Sequence, residues 1–211
     1  MASAVIHMAV ANEINKVVNR DNNILLIGSI APDISKQIGE TKVKSHFLDN
    51  ENNNIPNIDK FLIKYRYKMN DDFVFGYFIH LYTDYLWFKY FISEIYNNSS
   101  KMITKLDGSV VKCNGNMASM YIYNDYTNLN ISLLDEYNLN LSIFYNEVPP
   151  IENIIDEIPM EKIKIIIDKA SIIIENSRKK TDLVFNQENI KAFIEESTDL
   201  ILAKLEELNL L

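Results

Sequence analysis

The chain has 211 residues, 47% of them hydrophobic and 24% charged, with only five Gly and five Pro. This is the composition of one globular domain spanning residues 1–211, and it excludes collagen-like, linker-rich and wholly disordered chains. Twenty-one basic against 29 acidic residues give a net charge of −8, which offers phosphate backbones no general attraction and argues against a broad nucleic-acid-binding surface. A single cysteine, Cys113, cannot form an internal disulfide, so nothing calls for an oxidising compartment and a cytoplasmic location is expected.

The first twenty residues carry no basic segment ahead of their apolar stretch, and polar residues from Asn12 onward interrupt any signal-like run. They are expected to belong to the mature fold. Val5, Ile6, Met8, Ala9, Ile14, Val17 and Val18 fall at helical spacing behind Ser3, an N-cap type, which predicts a helix from about residue 3 to 18. A short apolar piece, Asn22 to Ser29, leads into Ala31-Pro32-Asp33, where the proline breaks regular structure and leaves Asp33 at an element end. The asparagine-rich stretch 49–54 reads as an exposed loop.

Asp71 and Asp72 suit the start of a long helix from about Phe73 to Tyr96. Its run from Phe73 to Ile92 is long enough to cross a bilayer. However, Asp84 lies near the middle of that run, with His80 and Lys89 also inside it. A charge there is expensive in lipid, so a helix buried in protein is expected. Residues 101–125 read equally as a hairpin, irregular structure or a helix start, because Asp107-Gly108 and the alternation Met120 to Tyr123 point to strands only weakly. Two strong helices follow Pro149-Pro150, at about 159–178 and 186–209. The fold class expected is all-α, a helical domain around a buried central helix. Leu205, Leu208, Leu210 and Leu211 either extend the core or dock on a second copy, so a homodimer stays open.

The central helix is apolar around almost its whole circumference, so its ionisable side chains need partners. His80 and Asp84 are four residues apart on one face, with Gly76 one turn earlier leaving room for a close neighbour. An uncompensated buried carboxylate costs several kcal/mol (about 3–5 when its partner is lost), so Asp84 should meet a metal, a cation or a hydrogen-bond network. The plain alternative is that His80 hydrogen-bonds Asp84 as a satisfied core pair. The other two histidines, His7 between Ile6 and Met8 and His46 between Ser45 and Phe47, also sit in apolar settings. Imidazole and carboxylate are the usual zinc ligands, and His7, Asp33, His46, His80 and Asp84 suffice for one complete site and part of another.

As a set, His7, the segment Gly28-Ser29-Ile30-Ala31-Pro32-Asp33-Ile34, the step Ser45-His46-Phe47 and Gly76-Tyr77-x-x-His80-Leu81-x-Thr83-Asp84 resemble the zinc-dependent phospholipase C family, related to the fungal-type single-strand nucleases. The resemblance covers about the first 90 residues. It implies a helical fold in which Asp33, His46, His80 and Asp84 surround one zinc, with Asp84 bridging toward a second metal also held by His7. It also implies that Asp33 helps activate the attacking water, and that the substrate is a small phosphate ester or lipid head group. Full-length members carry further histidines and a glutamate downstream and use their processed N-terminal residue as a ligand. Here no histidine follows His80. Asp125 and Glu136 are the candidate replacements, though each also reads as a cap or surface residue. The short run from the terminus to His7 argues against N-terminal ligation, so one or two zinc ions are expected.

Three functions follow as expectations: a zinc-dependent phosphate-ester hydrolase, a non-catalytic metal-stabilised helical domain, or a phosphohydrolase of another helical class built on His-Asp dipeptides. No such dipeptide occurs, which disfavours the third. Tyr77, Tyr82, Tyr85 and Trp87 flank the proposed site and are candidates for a cleft lining. Cys113 reads as a structural thiol, and Arg178-Lys179-Lys180 as a helix C-terminus complementing the dipole.

Overall fold

A computed structural model describes residues 1–51 and 54–211. Of the asparagine-rich stretch, Asn52 and Asn53 lie outside the described residues, while Asp49, Asn50, Glu51 and Asn54 are exposed. The fold is mostly helical, as the patterning predicts, with one small three-stranded antiparallel sheet.

Three helices supply most of the fully buried core, which helices of the C-terminal half complete. Helix α1 (Ala4–Val18) starts at Ser3, whose hydroxyl accepts from the Ile6 amide, and ends in a left-handed Asn19. Helix α2 (Asn22–Ile30) is capped by the Asp21 carboxylate and runs into a 3-10 turn, Ala31–Asp33, with Pro32 inside the turn. The short α3 (Ile34–Gln37) and α4 (Ile58–Tyr65) follow. Helix α5 (Asp72–Leu86), capped by Asp71, is buried on nearly every side. Its expected continuation to Tyr96 changes character: Trp87–Phe91 is a π-helical segment before the short α6 (Ile92–Ile95). The wider turn faces Trp87 and Phe91 toward Phe185 and Phe193, where four rings pack with centroids 4.5–5.9 Å apart.

Helices α2 and α5 cross at two glycines. A Cβ on Gly76 would lie 2.2 Å from the Leu25 carbonyl oxygen, and one on Gly28 would lie 2.3 Å from that of Phe73. The space that Gly76 leaves is therefore filled by backbone, and the close crossing brings Ser29 and the Ala31–Asp33 turn onto the His80 face of α5.

Strands β1 (Tyr96–Asn97), β2 (Met102–Thr104) and β3 (Val110–Lys112) pair in that order, β2 and β3 forming the hairpin around Gly108. The Met120–Tyr123 alternation is not a strand. It lies in the long helix α7 (Gly115–Glu136), whose N-cap Asn114 accepts from the Met117 amide and fixes the helical start. After α8 (Ser142–Tyr145) come α9 (Ile163–Glu175) and α10 (Gln187–Glu207), the latter with a capping box from Asn186 and Asn189. Leu205 is fully buried in the core, Leu208 and Leu210 pack against it, and Leu211 is exposed. Arg178–Lys180 do not end α9, which stops at Glu175. Their backbone is bound to α7 instead, the Arg178 amide donating to the Thr127 carbonyl and the Lys180 amide to Asn128 Oδ1. No helix among the described residues is long and apolar enough to cross a membrane.

Candidate metal centre

The five side chains singled out by sequence converge. His7 comes from α1, Asp33 from the end of the turn after α2, His46 from the Lys42–Leu48 turn, and His80 and Asp84 from α5. All five are buried.

His80 and Asp84 do not form the simple core pair, since their nearest nitrogen and oxygen are 3.9 Å apart. His80 Nδ1 lies 2.7 Å from the Ser29 carbonyl oxygen. A carbonyl only accepts, so Nδ1 carries the proton and Nε2 of the neutral ring presents its lone pair. Burial above all, then charge repulsion from the neighbouring His7, holds the His80 pKa well below its ordinary value.

His46 is presented by a turn closed through its own backbone, the His46 amide donating to Lys42 and the Leu48 amide to Val43. The turn contains Phe47 in the left-handed region, φ +53°, a costly conformation for a bulky residue. That geometry lets His46 face the cluster while the Phe47 ring packs edge-on against Phe61, Tyr65 and Tyr77. The Tyr77 hydroxyl donates to the Ser45 carbonyl at 2.5 Å, and Ser45 Oγ lies 2.9 Å from His46 Nδ1. A hydroxyl both donates and accepts, so Ser45 supports either His46 tautomer, including the one that frees Nε2. Burial is also the main cause of the lowered His46 pKa.

Two carboxylate oxygens thereby stand around the two imidazole nitrogens in a loose nest. His46 Nε2 is 3.2 Å from His80 Nε2, 3.3 Å from Asp33 Oδ1 and 3.7 Å from Asp84 Oδ2. His80 Nε2 is 4.0 Å from Asp33 Oδ1 and 3.9 Å from Asp84 Oδ2. A tetrahedral ion with bonds of about 2.0–2.1 Å requires edges of about 3.3 Å, which the His46 distances to His80 and Asp33 meet and the distances to Asp84 exceed by a few tenths of an ångström. Asp84 Oδ2 is moreover buried without a hydrogen-bond partner among the described residues, a cost that an ion beside it would remove. Burial pushes both carboxyls up, but neighbouring positive charge wins. Lys42, the His46 hydrogen bond and His80 hold Asp33 well below the usual carboxylate range; the α-amino group of residue 1, His7 and His80 do the same for Asp84.

The second group is partial. His7 stacks on His80 at 3.8 Å between ring centroids, and its Nε2 lies 3.4 Å from Asp84 Oδ1. Neither His7 nitrogen has a hydrogen-bond partner among the described residues. His7, His80 and Asp84 are thus placed to hold an ion, as are Asp33, His46 and His80. His80 has only one free nitrogen, however, so it serves one ion at a time. The geometry provides two three-residue groups that share His80, with Asp84 Oδ2 near the Asp33, His46 and His80 group.

The suggested downstream carboxylates do not join the cluster. Asp125 accepts from three consecutive backbone amides, Leu183, Val184 and Phe185, and so anchors the approach to α10. Glu136 pairs with Lys191 at the surface, 2.6 Å away. Two neighbours escaped the sequence reading. The Ala2 amide donates to Asp84 Oδ1 at 2.9 Å, which brings the N-terminal residues against the cluster, and Lys42 Nζ donates to Asp33 Oδ1 at 3.0 Å. The signal for Lys42 was its spacing, four residues before His46.

A cleft of about 500 Å³ opens beside the nest, lined by residues 1–4, Asp33, Lys36, Tyr123, Tyr126, Ile166, Lys169 and Ile173 among others. None of the four aromatic residues expected to flank it takes part. Tyr77 supports the His46 turn, Tyr82 and Tyr85 line a separate depression with Lys204, and Trp87 belongs to the aromatic core. The aromatic lining comes from α7, in the stretch that resisted assignment. Cys113 is buried and unpaired.

Compared with protein-family models, curated proteins and solved structures, the chain matches none. The chemistry must therefore be argued from the site.

Proposed function

We propose that the chain is a zinc-dependent hydrolase of small phosphate esters, working inside the cell and similar to the zinc-dependent phospholipases C. The observation that carries this reading is the nest of Asp33 Oδ1, His46 Nε2, His80 Nε2 and Asp84 Oδ2, set beside a cleft with Lys36 and Lys169 on its walls. Two imidazoles and two carboxylates form a donor set that suits zinc, and two negative charges balance a dication. Asp33, His46, His80 and Asp84 would hold the ion, with His7 and Asp84 Oδ1 contributing to a second. A zinc ion bound there supplies a water of lowered pKa and stabilises charge on a phosphoryl oxygen.

The chain's own residues do the rest. The Ser29 carbonyl keeps the His80 proton on Nδ1, so Nε2 stays a ligand. Asp33 is the one carboxylate of the nest that lines the cleft. It is placed to accept a hydrogen bond from the attacking water and to take its proton as the new P–O bond forms and the ester P–O bond breaks. Lys36 and Lys169 offer positive charge to the phosphoryl oxygens.

A second reading, a metal-stabilised domain without turnover, is favoured by the commitment of Asp125 to backbone amides and of Glu136 to Lys191, which leaves the second ion with few ligands. Purified protein loaded with zinc, tested on a phosphomonoester and a phosphodiester, decides between them. The hydrolase reading expects turnover that His80→Ala abolishes together with metal, whereas bound zinc with no turnover on either ester supports the second. Metal content unchanged in His46→Ala contradicts both.

A further inference from the structure

We propose that Lys42 is a tethered cation that competes with the metal for Asp33 and His46 and must leave them when the ion binds. The inference rests on the reading of the nest as a metal site. Lys42 Nζ donates to Asp33 Oδ1 at 3.0 Å and stands 3.4 Å from His46 Nε2. These are two of the atoms of the Asp33, His46 and His80 group, so the ammonium holds an Asp33 lone pair that an ion needs and crowds His46 Nε2. An ammonium has three donors and no acceptor, and it can only compete at such atoms.

The side chain is able to leave. It is one-quarter exposed, whereas the Asp33 side chain is 12% and the His46 side chain 2% exposed. Its third contact is Met1 Sδ at 3.0 Å, a soft acceptor that holds an ammonium weakly. Its partners Met1 and Asp33 line the cleft, and the flexible four-carbon stem, already partly exposed, can carry the ammonium to solvent. Held on Asp33, Lys42 neutralises a buried carboxylate in the metal-free protein; a dication in the nest repels it. Lys42 therefore stabilises the empty state and weakens metal uptake, two effects of opposite sign on stability.

The test uses chelator-stripped full-length protein, with zinc affinity measured by competition against a chromophoric chelator. Lys42→Gln is expected to bind zinc at least about tenfold more tightly than the wild type, equivalent to about 1.4 kcal/mol. The melting order is expected to cross: Lys42→Gln unfolds below the wild type without zinc, and at or above it with saturating zinc. Equal or weaker zinc binding, or a lower melting temperature in both states, overturns the proposal. Should Lys42→Gln not fold without zinc, the zinc-loaded wild-type structure decides. Lys42 Nζ beyond hydrogen-bond distance of Asp33 Oδ1 supports the proposal, and Nζ still bonded there overturns it. A wild type that binds no zinc overturns the metal reading and this inference together, whereas zinc binding unaltered by Lys42→Gln overturns this inference alone.

Discussion

Tyr77 touches no ligand atom, yet its hydroxyl fixes the carbonyl of Ser45, and Ser45 in turn fixes the His46 ring. Partners of this kind orient a metal ligand and commonly change affinity by about 10–100-fold. Tyr77→Phe is therefore expected to weaken zinc binding by about tenfold while costing only about 1 kcal/mol of stability, measured by chelator competition and urea unfolding. The imidazoles also set a pH dependence. His80 and His46 have folded pKa values below the ordinary value of about 6.5, burial being the main cause, so between the folded and unfolded values the unfolded chain binds more protons. Stability of the metal-free protein should therefore rise with pH from about 5 to 6.5, by up to about 1.4 kcal/mol per pH unit for each histidine, and level off above that. Urea midpoints at the two pH values measure it, and a flat profile would contradict the buried neutral assignment. The candidate ligands were legible because three histidines in apolar settings and a buried carboxylate are rare types in rare places. Lys42 was not, because a lysine in a polar segment reads as solvated until a turn brings it back onto Asp33.

At the scale of elements, the metal face depends on how closely α2 and α5 approach. The backbone contact at Gly28 and Gly76 leaves no space for a methyl group, since the nearest atoms to a Cβ on Gly76 are the Leu25 oxygen and the Ser29 nitrogen at 2.2 and 3.0 Å. Gly76→Ala is expected to cost about 3 kcal/mol or more and, by moving Ser29 away from His80, to weaken metal binding as well. Gly39→Ala makes a control, because nothing lies within 4 Å of its Cβ and the only cost is that of a left-handed φ, about 1 kcal/mol. The helices that start behind Ser3, Asp71 and Asn186 follow from caps and periodicity that agree with one another, whereas α2 read only as a short apolar piece and α3 and α4, four and eight residues long, are too short to show a helical period. The middle was harder to read for a physical reason. Helix α7 carries a polar, tyrosine- and asparagine-rich sequence with little amphipathic contrast, so alternation over Met120–Tyr123 competed with a helical reading that only the Asn114 cap and tertiary packing decide. The π-helical turn at Trp87–Phe91 likewise arises from ring packing with the remote Phe185 and Phe193, which no local pattern encodes.

Across the whole molecule, the first 90 residues build the nest and the remainder encloses it. Helix α7 supplies Tyr123 and Tyr126, α9 supplies Ile166, Lys169 and Ile173, and Asp125 ties residues 183–185 to α7 by three amides. Asp125→Asn weakens that carboxylate anchor at a fully buried position, so a loss of about 2–3 kcal/mol in unfolding free energy is expected with metal content retained. Loss of metal would place Asp125 in the ligand set after all. The candidate ligands come from segments where rare residue types stand in apolar settings, whereas the aromatic wall of the cleft comes from α7, which is why the candidate ligands were legible and the cleft was not. The central claim is that the nest holds zinc. Elemental analysis of protein purified without added metal and without a histidine tag tests it most directly. One to two zinc ions per chain are predicted, removed by chelation with a fall in melting temperature; a stably folded chain that contains no zinc and takes up none would contradict the account.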